Sequence, residues 1–150
     1  KESHEALIRD VAVDVVYNDN WPLGMGSSIK TGLQHLLTRH PDTDSVIVFV
    51  CDQPLLSARI INKLIKRHTE TKKPVVASAY SGAPGVPVLF DKRFYGKLQS
   101  LPDSEGAKNI ILQNRDDVVD VPFPGGEIDL DTMEDYQAFV DHRYKPEGSG

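Results

Sequence analysis

Ser45-Val46-Ile47-Val48-Phe49-Val50-Cys51-Asp52-Gln53-Pro54 is an apolar run that ends abruptly at a carboxylate, an amide and a proline. Val46 to Val50 show no in/out alternation and are mostly β-branched, so both faces must be covered. That is the signature of a central parallel strand between helical layers. Open sheets of this kind bind ligands beyond the carboxyl ends of their strands, which makes Asp52 the first candidate for chemistry. Pro54 lacks an N–H and holds Gln53 extended, and Ser57 is placed to cap the next helix. The plainer alternative is that Asp52 only ends the strand and solvates a turn.

Strand and helix patterns alternate around this run, which predicts a three-layer α/β/α fold with a mostly parallel, Rossmann-like sheet. Val11 to Tyr17 reads as a valine-rich strand, broken by Asn18-Asp19-Asn20. Trp21-Pro22-Leu23-Gly24-Met25-Gly26-Ser27-Ser28 is a glycine loop, and Ile29, Leu33, Leu36 and Leu37 follow at helical spacing. Such a turn can present backbone N–H groups and a helix dipole to a phosphate, with the serines bonding the ligand or simply capping the helix. Glycine at 24 and 26 would let the backbone approach a flat base closely.

Further on, Ile60, Ile61, Leu64 and Ile65 mark a helix and Val75 to Tyr80 a buried strand. Ser81 to Pro87 is dense in turn formers, and with prolines at 84 and 87 it reads as an edge or loop segment before a short strand, Val88 to Phe90. Helices are expected over 91 to 101 and 104 to 113, and a brief strand over 118 to 121. In the closing stretch Asp129 and Asp131 fall on one side of an extended segment, where two carboxylates can hold a hard cation. Equally, Asp131 or Thr132 can cap a following helix with Glu134 or Asp135 completing a capping box, and that helix would bury Tyr136, Phe139 and Val140.

With 150 residues, 39% hydrophobic and 26% charged, the chain is expected to form one domain over residues 1–144 with a short tail over 145–150. A net charge of −5 without any basic run argues against nucleic acid or an anionic membrane as partner and for small molecules or proteins. The one cysteine, Cys51, lies in the apolar run, so no intramolecular disulfide can form, and it is expected as a small core residue. The histidines at 4, 35, 40, 68 and 142 have no zinc-ligand spacing. A cytoplasmic location is expected.

Taken in order, Asn18 with Trp21 and Gly24-Met25-Gly26-Ser27-Ser28, then Asp52-Gln53-Pro54, Gly85-Val86-Pro87-Val88-Leu89-Phe90, Gly106-Ala107-Lys108 and Asp129-Leu130-Asp131-Thr132-Met133-Glu134-Asp135 resemble the molybdenum cofactor cytidylyltransferases of the MobA-like nucleotidyltransferase family. The resemblance spans nearly the whole chain. It implies a sheet of nucleotide-diphospho-sugar-transferase type and transfer of a nucleoside monophosphate, from CTP rather than GTP, to molybdopterin with Mg²⁺. It also implies Asp52 as the catalytic residue and principal Mg²⁺ ligand, with one of Asp129 and Asp131 as its counterpart. Gly26, Ser27 and Ser28 are implied on the base and ribose side, and Gly85, Pro87 and Lys108 on the pterin side.

The sequence departs from the family pattern in three places. Pro102 stands for a glycine, and Lys108 for an arginine whose bidentate phosphate fork it lacks. The family's opening strand and glycine-rich loop, with its Arg and Lys, are not found. The chain therefore reads as the carboxy-terminal portion of such an enzyme, and an exposed sheet edge is expected beside 11–17 or 46–51. A molybdoenzyme or its chaperone, or a second copy of the chain, are expected partners. The alternatives are a sugar-phosphate nucleotidyltransferase, a nucleotide-sugar glycosyltransferase, or a non-catalytic α/β binding module.

Overall fold

The computed structural model describes residues 13–129 and residues 137, 138 and 140. Four strands form one sheet in the order β1-β3-β2-β4: β1 (Ser45–Val48), β2 (Val75–Tyr80), β3 (Ala83–Asp91) and β4 (Val118–Pro122). β3 is antiparallel to both neighbours, whereas β2 and β4 are parallel. Hence β1, β2 and β4 all run in one direction and β3 alone opposes them. The parallel character expected from the sequence survives in strand direction, although only the β2–β4 ladder is itself parallel. The cause is local. Ser81 and Gly82 take positive φ (51° and 75°), which folds β3 straight back onto β2 as a hairpin, and β1 then joins β3's far side.

Helices cover both faces, giving the three expected layers. On one face α1 (Met25–Arg39), α3 (Tyr95–Gln99) and α4 (Ala107–Gln113) contribute Leu33, Leu98, Ala107, Ile110 and Ile111, which pack on Val75, Ala77, Val88 and Phe90. On the other face α2 (Ala58–Thr71) sets Leu64 on Val76, Leu89 and Val121. The alternate residues of β2 thus serve opposite cores, so Val75, Val76 and Ala77 are all fully buried. Among the described residues no helix is long and apolar enough to cross a membrane.

Several expectations fail. The Val46 strand is not central: among the described strands β1 pairs with β3 alone, only Ser45 to Val48 are in the ladder, and all four are half-buried. The chain turns away after Val48, leaving Phe49 52% exposed and Cys51 exposed in the turn rather than in the core. Val13 to Tyr17, the described part of the expected first strand, is not a strand of the described sheet. Among the described residues β1 therefore has no neighbour on the side away from β3, the edge expected beside 46–51. Facing it, Val13 and Val16 join Val46 to Val50 in lining a cavity of about 1120 Å³. Asp14 holds residues 13–17 to α1 through Arg39 (3.0 Å) and His35 (3.3 Å).

A further correction concerns β3, which is longer than the expected Val88–Phe90 strand and lies between β1 and β2, although its first half, Ala83 to Pro87, has β2 as its one neighbour among the described strands and so keeps the edge character expected of the proline segment. Its register against β2 jumps from Ala77↔Val88 to Ser78↔Gly85, so Val86 and Pro87 bulge out of the ladder. There Pro87 loses no ladder hydrogen bond, and the buried Ser78 hydroxyl donates to its carbonyl at 2.6 Å. Pro84 lies in the half of β3 that β1 does not reach, since β1 pairs only with Val88 to Asp91.

Candidate functional site

Because β1, β2 and β4 run the same way, their carboxyl ends deliver three segments to one end of the sheet: Asp52-Gln53 after β1, Tyr80 at the end of β2, and Phe123 to Asp129 after β4. The bulged stretch of β3 passes between them. Gln53, 5% exposed, is the fastener. Its Nε2 donates to the carbonyls of Val86 and Gly126, each at 3.0 Å, joining the bulge to the β4 loop. With both amide hydrogens spent, its Oε1 is buried without a hydrogen-bond partner, as is Oδ1 of Asp52. Two neighbouring buried acceptors without donors are expensive in an isolated protein, and a ligand that brings positive charge or N–H and O–H groups would satisfy them.

Tyr80 reaches into the same place. Burial pushes its phenol up and the Asp129 carboxylate adds to this, with Asp52 contributing least, while hydrogen bonding to the Gln53 side chain and the Val86 backbone acts in the opposite direction; both acids are thus within electrostatic reach of one hydroxyl. Asp129 is exposed, and Asp131 lies outside the described residues, as do Tyr136 and Phe139. Among the described residues no group of three or more His, Cys, Asp or Glu converges on one point. Two carboxylates suit a cation that takes most of its ligands from a bound molecule and water.

The glycine loop is arranged differently from the expectation. The N–H groups of Gly26 and Ser27 donate to the Asp103 carbonyl (3.0 and 3.4 Å), so the start of α1 is capped by the 102–105 loop. A β-carbon at Gly24 would stand 2.8 Å from Ser104 Cα, and one at Gly26 would stand 2.7 Å from the Glu105 carbonyl oxygen. These glycines are required for close backbone packing, with Gly24 also at φ 129°. Ser27 is buried, donates to the Asn20 carbonyl (3.0 Å) and accepts from Asn18 Nδ2 (2.6 Å). Ser28 accepts from the same Asn18 amide at 3.0 Å but is exposed on the cavity.

Of the residues expected from the sequence, Ser28, Gly85 and Lys108 line the large cavity together with Tyr80 and Glu127. Lys108 is exposed in the first turn of α4. Pro87 is buried in the bulge. Tyr80 and the Phe123–Gly126 turn were missed. The strand-end rule that singled out Asp52 applies equally to Tyr80, because β2 is co-directional with β1.

This arrangement, three co-directional strand ends converging under helices on both faces, is that of the nucleotide-diphospho-sugar-transferase-like fold. The chain matches the MobA-like NTP transferase domain over residues 1–118 and belongs to that family. Its fold is similar to that of Rv0371c from Mycobacterium tuberculosis H37Rv (TM-score 0.69, 20% identity, covering 91% of this chain and 70% of that one). A second structure of that protein, a complex with manganese, gives TM-score 0.69 at 21% identity over 93% of this chain and 74% of that one. A homologue from Mycobacterium sp. strain JC1 gives TM-score 0.62 at 22% identity over 77% of this chain and 56% of that one. No curated protein matches the chain significantly.

Proposed function

We propose that this chain carries the strand-end site of a nucleotidyltransferase that moves a nucleoside monophosphate, from CTP, onto the terminal phosphate of molybdopterin, with Mg²⁺ as the cation. The observation that carries this reading is the buried, unpartnered Oδ1 of Asp52 beside the equally unpartnered Oε1 of Gln53, in a chain of the NTP transferase family. Asp52 would hold the cation, with Asp129 or Asp131 opposite. The manganese complex of Rv0371c supports a divalent ion. When bound, such an ion neutralises charge developing on the transferring phosphate.

The chain's own residues do the rest by placement. Gln53 fixes the segment bearing Asp52, the exposed Ser28 hydroxyl faces the nucleotide side, and the Lys108 ammonium offers a point charge to an acceptor phosphate. Gly26 and Ser27 contribute by holding Ser28 in place, and Gly85 and Pro87 shape the acceptor side. In the full-length protein Asp52→Asn should lower cation-dependent transfer by about a hundredfold or more, on the order of 3 kcal/mol, with an unchanged melting temperature. Near-normal turnover would remove the metal assignment. Calorimetric titration separates the nucleotides, and tighter binding of GTP than of CTP would move the protein to guanylyl transfer.

A further inference from the structure

We propose that Tyr80, at the end of β2, is a positioning residue whose ring, wedged between the β3 bulge and the loop after β4, sets how the Asp52 and Asp129 carboxylates face each other; this rests on the reading of Asp52 as a cation ligand. Two glycines are hollows for that ring. A β-carbon at Gly85 would overlap the phenol hydroxyl and lie 2.8 Å from Cζ, and one at Gly126 would lie 2.5 Å from Cδ1 and 2.9 Å from Cε1. Phe123 closes the remaining side edge-on, with ring centroids 6.0 Å apart at 86°.

The segments that the ring touches are the ones that Gln53 stitches through the Val86 and Gly126 carbonyls. One amide fixes two distances but not the rotation of the loops about it, whereas a flat ring gripped on three sides fixes that rotation too. Asp52 adjoins Gln53, and Asp129 lies three residues beyond Gly126. Removing the ring therefore frees each carboxylate-bearing segment relative to the other and leaves a void where it stood.

The test is Mn²⁺ binding to the full-length protein, followed by the electron paramagnetic resonance signal of free Mn²⁺, beside thermal melting. Tyr80→Ala should weaken Mn²⁺ about tenfold or more at a temperature where it is folded, and Tyr80→Phe, which keeps the ring, should restore the affinity. If Tyr80→Ala melts below the assay temperature, Gly126→Ala, which evicts the ring without deleting it, should show the same loss. Wild-type affinity in a folded Tyr80→Ala or Gly126→Ala protein would overturn the proposal while leaving the cation reading intact. An equal loss in Tyr80→Phe would overturn the wedge in favour of the hydroxyl. Absence of Mn²⁺ binding by the unmutated protein would overturn both this proposal and the reading beneath it.

Discussion

Gly26 is a glycine because the backbone of Pro102 to Glu105 occupies the space its side chain would need. Gly26→Val should therefore lower stability by about 1–3 kcal/mol through overpacking, visible as a lower melting temperature. An unchanged melting curve with weaker nucleotide binding would instead return the loop to direct ligand contact. Asp91 makes a second residue-scale case. Burial alone would raise its carboxyl, but hydrogen bonds from Arg93 and His68 outweigh that and hold it below the ordinary 3.8. Its Oδ2 accepts from Arg93 Nη2 at 2.6 Å and lies 3.1 Å from His68 Nε2, tying the end of β3 to α2. A depressed folded pKa gives stability that is present above the unfolded value and lost as pH falls through the folded one. Asp91→Asn should thus cost about 1–3 kcal/mol at neutral pH and flatten the loss of stability below about pH 4. An acid limb as steep in the variant as in wild type would show that other carboxylates carry it.

At the scale of elements, helix α1 was legible from Ile29, Leu33, Leu36 and Leu37, and β2 was legible to the residue, since a pattern that buries one face or both is written in the side chains. Pairing partners are not. Val46 to Val50 announce that both faces are covered but say nothing of what lies edge to edge, so the run suggested a central strand while the described sheet leaves β1 with one neighbour. The prolines of β3 hid its length for a related reason: a bulge and a one-sided half make room for them inside a nine-residue strand, and neither is visible without the register. An apolar strand with an unpaired edge is a template for association. The chain should self-associate as its concentration rises, and Phe49→Lys, at an exposed position just past that strand, should suppress this without lowering the melting temperature. Sedimentation that is independent of concentration in the unmutated chain would contradict the prediction.

For the whole molecule, the three-layer architecture followed from the alternation of patterns, and the place of Asp52 beyond the carboxyl end of β1 followed from the apolar run that precedes it. Tyr80 and the Phe123–Gly126 turn did not, because their part depends on glycine hollows that only the folded backbone creates. The chain carries a net charge of −5, and the acceptors it leaves unmatched, Asp52 Oδ1 and Gln53 Oε1, are both electron-rich. Gln53 cannot turn its amide over to greet an anion without breaking the two hydrogen bonds that hold the loops together. On the proposed reading a bare triphosphate would meet repulsion here, and nucleotide would enter in the company of its counter-ion. On that reading titration with CTP in the presence of a chelator should register little and the same titration with Mn²⁺ should saturate, because the Gln53 amide is held by its two hydrogen bonds to the loops; saturation without the metal would contradict it.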